Sequence, residues 1–318
     1  MKRIMIGISF CFLALQAYAW PFSESMPKAK ITIRVIDEAG DPITNANVAV
    51  GFYQGGNAWI GESKSETVRG VSDSNGLFIA QGRCINDVSM FADKEGYYRT
   101  SAEYYFYNTK VENGRWQPWN PTNSVVLKEI KTPIPMCVKS VRTDIPVENN
   151  SIGFDLEKGD WVSPYGTGVR GDILFKLYRD LNTWKDYRSS LTISFPSEKD
   201  GIQSVYASHK DGSKLVMPYL APQVGYATNL FFEESYQNYQ EEREDQNYVF
   251  RARTVLDENG EIVSALYGKI HGNILFDVRG SETASLLFKY YLNPTPNDRN
   301  IEFDPDQNLF GGRDRFAP

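Results

Sequence analysis

Two acidic stretches hold the side chains best suited to acid–base catalysis. The candidates lie in the segments FDLEKGDW and NLFFEESYQNYQEERED, and they are Asp155, Glu157, Asp160, Glu233, Glu234, Glu241 and Glu242. Cleavage of a glycosidic bond uses two carboxyl groups about 5–10 Å apart, one as acid and one as base or nucleophile. The sequence does not show which of these carboxylates face one another. A solvated acidic face is the more common origin of such stretches, and we favour it over catalysis.

A glycine-rich motif follows the first acidic stretch. Gly166, Gly168 and Gly171 in YGTGVRG have the G-x-G-x-x-G spacing of a dinucleotide-binding loop. Such a loop needs a strand before it and a helix after it. Here Pro164 precedes the motif and the strand-like segment DILFKLY follows it. We therefore interpret the motif as a turn and expect no cofactor.

The segment DPDQN resembles the start of a calcium loop. Asp304, Asp306 and Asn308 alternate as calcium ligands do, but Leu309 and Arg315 stand where an EF-hand has Gly and Glu. An irregular calcium site stays open as an alternative to the expectation of no metal.

Histidine chemistry has little support. The chain contains two histidines, His209 and His271, in unrelated local settings, and neither an HExxH nor a G-x-S-x-G motif is present. Neither zinc nor a serine nucleophile is therefore expected.

Aromatic side chains form a second kind of candidate site. GRWQPWNPT places two tryptophans three residues apart, and YYFY puts aromatic rings on both faces of one strand. Exposed rings of this kind bind sugars, whereas buried ones pack a core or the junction between two domains. We favour packing at the domain junction. The candidate ligand platform consists of Trp116, Trp119, Tyr105, Tyr107 and Trp161.

Two cysteines remain after an N-terminal export signal. Lys2 and Arg3 precede an apolar run, and the small residues of AYA predict cleavage after Ala19, which would remove Cys11 as well. Cys84 and Cys137 would then meet an oxidising compartment, where a disulfide between them and two buried free thiols are both open.

Composition narrows the class of protein. The chain has 318 residues, a net charge of -6 and an aromatic fraction of 14%. The charge argues against a nucleic-acid partner, and the aromatic content favours strands. No later apolar run is long enough to span a bilayer, so we expect a periplasmic or extracellular protein without an integral membrane segment after signal cleavage.

Alternating residues and turn signals predict an all-β chain. Ile31, Ile33 and Val35 alternate with neighbours that would face the other side of a strand, and the turn clusters DEAGDP and LDENGEI separate such runs. We predict a small N-terminal β-sandwich followed by a larger antiparallel β-sandwich or jelly roll. The segment 229–245 is the least strand-like and is interpreted as a loop with a helical turn. The predicted organisation is a signal peptide at 1–19, domains at 28–130 and 148–310, a Pro-rich crossover linker at 131–147 and a flexible tail at 311–318.

The N-terminal part resembles the carboxypeptidase regulatory-like domain. The segments VIDEAGDPITNANVAV, SDSNGLFIAQG and ADKEGYY carry the resemblance, which covers about residues 30–127. It implies a transthyretin-like β-sandwich, and weaker similarity further on implies an exported bacterial protein of the same two-part plan. It brings no catalytic residues. The matching positions are Val35, Asp37, Gly40, Pro42, Ala46, Val48, Asp73, Gly76, Phe78, Gly96 and Tyr97.

A non-enzymatic exported binding or structural protein is the function that these patterns favour. A glycan or a cell-envelope protein is the expected partner. A carboxylate-dependent, glycan-processing hydrolase with an accessory N-terminal sandwich is the alternative, and an assembly component is a third possibility.

Overall fold

The structure is a computed structural model that describes residues 26–57, 62–106, 110–208, 212–239, 242–311 and 318. Within these residues all of the regular secondary structure is β-strand, which confirms the all-β class. Likewise, no helix in the described part of the chain is long and apolar enough to cross a membrane. The predicted signal peptide and most of the predicted tail lie outside the described residues.

The first nine described strands belong to the first sandwich and follow one another closely. They are β1 (Lys28–Ile36), β2 (Asn47–Asn57), β3 (Glu62–Val71), β4 (Leu77–Arg83), β5 (Asp87–Asp93), β6 (Thr100–Tyr105), β7 (Val111–Glu112), β8 (Arg115–Trp116) and β9 (Thr122–Val126).

The remaining described strands lie in the second part of the chain. They are β10 (Ile134–Asp144), β11 (Ser151–Asp155), β12 (Asp160–Trp161), β13 (Ile173–Thr183), β14 (Asp186–Ser194), β15 (Gly201–Tyr206), β16 (Gly212–Ser213), β17 (Asn229–Ser235), β18 (Gln246–Leu256), β19 (Ile262–Ile270), β20 (Leu275–Asp277), β21 (Ser285–Asn293) and β22 (Phe303–Asn308).

The first sandwich has two sheets around one apolar core. One sheet has the order β4-β1-β8-β7, with β9 also paired to β1, and the other has the order β16-β6-β5-β2-β3. Ile31, Ile33 and Val35 of β1 are fully buried, as their alternation predicts, and they meet Val50 and Phe52 of β2 in the core. The other face of β2 and β5 points outward, because successive side chains of a strand alternate between faces.

The second sandwich packs a seven-stranded sheet on a five-stranded sheet. The first has the order β15-β18-β19-β21-β10-β22 with β20 on β21, and the second has the order β12-β11-β13-β14-β17. Tyr290 belongs to the core between these sheets, and its neighbour Tyr291 belongs to a smaller core on the other face of the seven-stranded sheet. That sheet is therefore covered on both faces near β21.

Glu302 joins the two sandwiches. Its buried carboxylate accepts hydrogen bonds from the Tyr98 hydroxyl at 2.8 Å and from the backbone N–H groups of Lys131 and Thr132 at 2.9 and 2.8 Å. The short strand β16 pairs with β6, so residues from the second part of the chain extend a sheet of the first sandwich. We call the region around Glu302 and β16 the seam.

Two predicted irregular segments contain paired strands. β10 occupies much of the predicted crossover linker and pairs with β21 and β22 inside the larger sheet. β17 occupies the predicted loop with a helical turn, and it pairs with β14 from Arg188↔Ser235 to Ser194↔Asn229. The burial of its side chains alternates, with exposed Phe231 between half-buried Leu230 and Phe232, although the residue types do not alternate.

Candidate functional site

Two carboxylates of the first acidic stretch, Asp155 and Glu157, belong to an internal cluster of ion pairs around Arg253. Arg253 donates from Nε and Nη2 to the two carboxylate oxygens of Asp172 at 2.7 and 2.8 Å, and Nη2 also lies 3.1 Å from Asp155 Oδ1. Its remaining nitrogen bonds Glu157. Asp155 and Asp172 are almost fully buried. Because charge pairing and hydrogen bonds satisfy these carboxylates, they hold the fold together instead of facing a substrate.

Acidic side chains also organise the glycine-rich motif. Asp160 Oδ2 accepts from the Thr167 backbone N–H and hydroxyl, both at 2.8 Å, and Asp155 Oδ2 accepts from the N–H groups of Val169 and Arg170. Burial by itself raises the pKa of Asp155, but these N–H donors and Arg253 outweigh it and lower that pKa. The loop's N–H groups are thus already bonded to carboxylates, which agrees with a turn and leaves no phosphate cradle.

The calcium-like segment forms part of a strand. Asn308 lies at the end of β22, where its Oδ1 accepts from Val138 N–H at 3.1 Å, and Asp304 accepts from the N–H of Asp306 at 3.0 Å. Within the described residues no group of three or more His, Cys, Asp or Glu side chains could hold a metal ion.

The predicted aromatic platform does not form one surface. Trp161 is buried in the larger core, where Phe154 and Phe175 pack edge-on against it at 5.3 and 5.5 Å between ring centroids. It therefore cannot stack on a ligand, and its assignment to the platform was wrong. Tyr105 is 43% exposed on β6, and Tyr107 lies outside the described residues.

The two neighbouring tryptophans lie apart from the seam. Trp116 stacks on Phe106 at 5.6 Å and donates from Nε1 to the backbone oxygen of Cys84. Trp119 is half-buried beneath the guanidinium of Arg115. Both tryptophans lie close to the start of β1, because Arg115 pairs there with Lys28. The seam lies near the other end of that strand. Packing is thus their role here, but the prediction that they pack at the domain junction was wrong.

The two cysteines are free and buried in separate cores. Cys84 belongs to the core of the first sandwich and Cys137 to the large core of the second. A disulfide would require their sulfur atoms to touch, so this structure corresponds to the alternative of two free thiols. Burial is the main cause that raises the pKa of Cys84 to about 12 and that of Cys137 to about 11, which keeps both thiols protonated at neutral pH.

A cleft on the outer face of the first sandwich is the best candidate for a binding site. Its floor is formed by small side chains on β2 and β5, where Ala49 lies opposite Phe91 and Gly51 lies opposite Ser89. A Cβ atom on Gly51 would come within 2.8 Å of the Ser89 hydroxyl, so the glycine keeps this floor low. The cleft has a volume of about 580 Å³. We call it the face cleft.

Two further clefts continue the face cleft across the seam. The seam cleft, about 570 Å³, shares Phe91 and Arg99 with the face cleft and adds Lys214 and His271. The end cleft, about 460 Å³, shares His271 and is bounded by Lys289 on β21. Because neighbouring clefts share their walls, we treat the three as one groove.

The rims of the groove carry most of its charge. Arg69 lies on β3 at one rim of the face cleft, and the Arg99 guanidinium lies over the Phe91 ring at 4.5 Å. Lys214 follows β16, and its backbone N–H donates to the Arg99 oxygen at 2.9 Å. The floor between them carries one carboxylate, Asp93, among small polar side chains, so a ligand would contact mostly small polar groups below and cations at the sides.

Of the residues that line the groove, Glu242 and His271 were considered from the sequence, and the others were not. A signal was nevertheless present: NVAVG and DVSMFAD alternate apolar core residues with the small or polar residues Asn47, Ala49, Gly51 and Ser89. A strand whose outward side chains are this small leaves a depression. The contribution of β16 could not be foreseen, because it depends on a pairing between distant segments.

Comparisons with known proteins identify no family. No family model and no curated protein matches the chain. Similar solved structures include a 3-chlorocatechol 1,2-dioxygenase from Rhodococcus opacus, which is 12% identical with a TM-score of 0.27 over 33% of this chain. The match spans 61% of the dioxygenase chain.

Pilin subunits are also similar in structure. The major pilin SpaD from Corynebacterium diphtheriae is 10% identical over 81% of this chain and 70% of its own, with a TM-score of 0.26. The major pilin BcpA from Bacillus cereus is 10% identical over 89% of this chain and 97% of its own, with a TM-score of 0.24. With scores this low, the activities of these proteins do not transfer to this chain.

Proposed function

We propose that this chain is a non-enzymatic, exported binding protein whose groove holds an extended glycan. The observation that supports this proposal most is the continuity of the three clefts. Each is within the size range of small-ligand sites, about 300–1,000 Å³. Three such clefts in a row suit a chain of repeated units better than one compact molecule.

A glycan fits the face cleft better than an extended peptide does. A peptide that adds to a sheet bonds an unpaired strand edge through its backbone. The floor of the cleft instead lies on the face of β2 and β5, which are paired with strands on both sides. Ser89, Thr67 and Asn47 offer side-chain hydroxyl and amide groups to the ligand, which suits hydroxyl-rich sugar rings.

A hydrolytic function has less support. The carboxylates of the ion cluster are bound to Arg253 and backbone N–H groups, and Asp93 is the carboxylate that lines the face cleft among its described residues. The resemblance of the N-terminal part to a carboxypeptidase regulatory-like domain is part of the proposal and agrees with an accessory or binding role.

Filling the face cleft tests this proposal. Ala49→Trp should abolish binding of glycans found on an array, because the new ring would occupy the floor between Arg69 and Phe91. Ile79→Trp is the matched control, since Ile79 is 55% exposed on β4 of the opposite sheet. Titration calorimetry measures the affinities, and mass spectrometry of the bound glycan detects cleavage.

Two results would contradict the proposal. Equal affinity of the Ala49→Trp and Ile79→Trp variants would place glycan binding elsewhere. Cleavage products that vanish in a carboxylate variant would favour the hydrolase alternative.

A further inference from the structure

We infer that the glycan held by the groove is anionic and carries carboxylate or sulfate groups. This inference rests on the proposed function and specifies the ligand class of the same site. Its basis is the sign and position of the charges that line the face cleft and the seam cleft.

Positive charge is concentrated in these two clefts. Arg69, Arg99 and Lys214 line them, and Asp93 is the carboxylate in the same described lining, an excess of two positive charges. The whole chain has a net charge of -6. A local excess of the opposite sign attracts ligands whose charge differs from that of the rest of the surface.

The cations of the face cleft and the seam cleft differ from Arg243 of the end cleft, which pairs with Asp245 at 3.1 Å. Neither Arg69 nor Lys214 forms a side-chain ion pair with the residues that the structure describes. The described contact of the Arg99 side chain is with Phe91, whose ring centroid lies 4.5 Å from the guanidinium carbon. Asp93 accepts a hydrogen bond from the Asn47 amide at 3.2 Å.

The three cations stand on opposite rims of a floor whose described carboxylate is Asp93. Arg69 belongs to β3 and Lys214 follows β16, with β2, β5 and β6 between these strands. At about 4.8 Å per strand, their backbones are separated by about 19 Å across the sheet. Arg99 immediately precedes β6 and stands closer to the Lys214 rim. A ligand that satisfies both rims must therefore carry more than one anionic group.

Arginine at two of these positions favours oxyanions that present two oxygens to one guanidinium. A guanidinium presents a rigid fork of N–H donors that matches two oxygens of one carboxylate or sulfate. Phe91 supports the Arg99 fork and restricts its motion. The end cleft has mixed charge, with Glu242 and Glu244 beside Lys289 and Arg243, so the anionic groups are recognised in the other two clefts.

A matched pair of oligosaccharides tests the inference. Titration calorimetry would compare a polyuronic oligosaccharide with its carboxyl-reduced counterpart of equal length, and a sulfated oligosaccharide would distinguish the two sources of negative charge. The wild-type protein should bind an acidic form at least tenfold more tightly than the reduced form. At about 1 M salt, where the Debye length shortens to about 3 Å, this preference should collapse.

Charge-removing variants locate the effect. Arg69→Gln, Arg99→Gln and Lys214→Gln should each weaken binding of the acidic form about two- to fivefold, as expected for exposed ion pairs. Binding of the reduced form should not change. Arg34→Gln is the control, because Arg34 is exposed on β1 in the opposite sheet.

The outcomes separate this inference from the proposed function. Equal binding of acidic and neutral forms, blocked by Ala49→Trp, would overturn the anionic ligand and leave the glycan groove standing. Binding of neither form, with no other glycan bound, would overturn both. Tighter binding of single-stranded nucleic acid at the same cations would replace the glycan with a different anionic polymer and overturn the inference.

Discussion

Arg253 and the two aspartates around it show how charged residues can serve the interior of a β protein. Asp172 accepts two hydrogen bonds from Arg253 and a third from the Leu156 N–H at 2.8 Å. Breaking a buried ion pair leaves the remaining charge without compensation and costs more than the pair contributes. The residues that looked most like catalytic groups in the sequence are therefore expected to matter for stability.

Asp172→Asn should lower the free energy of unfolding by about 1–3 kcal/mol, because one side-chain oxygen cannot accept the hydrogen bonds that two oxygens now share and Arg253 keeps only Asp155 and Glu157 as counter-charges. Urea denaturation followed by tryptophan fluorescence measures the loss. Asp277→Asn is the matched control, since Asp277 pairs with Arg279 at 2.9 Å on the surface and its loss should cost under about 1 kcal/mol. If both variants lost a similar amount of unfolding free energy, the internal cluster would contribute no more to stability than a surface ion pair.

Short strands at the start of β1 fix the positions of the two neighbouring tryptophans. β8 pairs with β7 and meets β1 at Lys28↔Arg115, which brings the Trp116 ring onto Phe106. Trp119 comes after β8, and the guanidinium carbon of Arg115 lies 4.9 Å from the centroid of its ring. One tryptophan thus belongs to the packing of the element, and the other covers its surface.

Trp116→Ala should destabilise the protein by about 2–3 kcal/mol, because it removes a ring that closes the end of the core. Trp119→Ala should cost under about 1 kcal/mol, the size of an exposed cation–π contact. Thermal unfolding of the two variants checks the difference. A larger loss for Trp119 would mean that this ring supports more of the sandwich than its contacts indicate.

Element types were predictable from the sequence, whereas long-range partners were not. The turn at Asp37–Asp41 and the hairpin at Asp257–Glu261 form as predicted, with Gly40 and Gly260 at positive φ. Local pattern carries such information because each turn uses a few adjacent residues. β17 was missed because NLFFEES does not alternate apolar and polar residues: Leu230, Phe231 and Phe232 are consecutive, and Glu234 is buried.

At the scale of the whole molecule, the groove needs both sandwiches. The face cleft belongs to β2, β3 and β5, but Lys214 and His271 come from the second part of the chain. No local pattern predicts that β16 adds to the edge of β6, because the pairing joins Gly212 to Ser101. This explains why the candidate site could not be assembled from the sequence.

Glu302→Gln should uncouple the unfolding of the two sandwiches. The amide supplies one acceptor where Tyr98, Lys131 and Thr132 donate to two, so at least one buried donor loses its partner. Differential scanning calorimetry should show one transition in the wild type and two in the variant. Glu38→Gln, which alters an exposed contact with Tyr219, should keep one transition. Two transitions already present in the wild type would contradict this coupling.

The parallel pairing of β1 with β9 has a mechanical consequence. Five residue pairs, from Thr32↔Thr122 to Ile36↔Val126, join the two strands in the same direction. Tension applied at the start of β1 and the end of β9 pulls these strands lengthwise in opposite senses. The hydrogen bonds between them must then yield together instead of one after another. The first sandwich should therefore resist tension between these two points more strongly than strands whose hydrogen bonds separate one at a time.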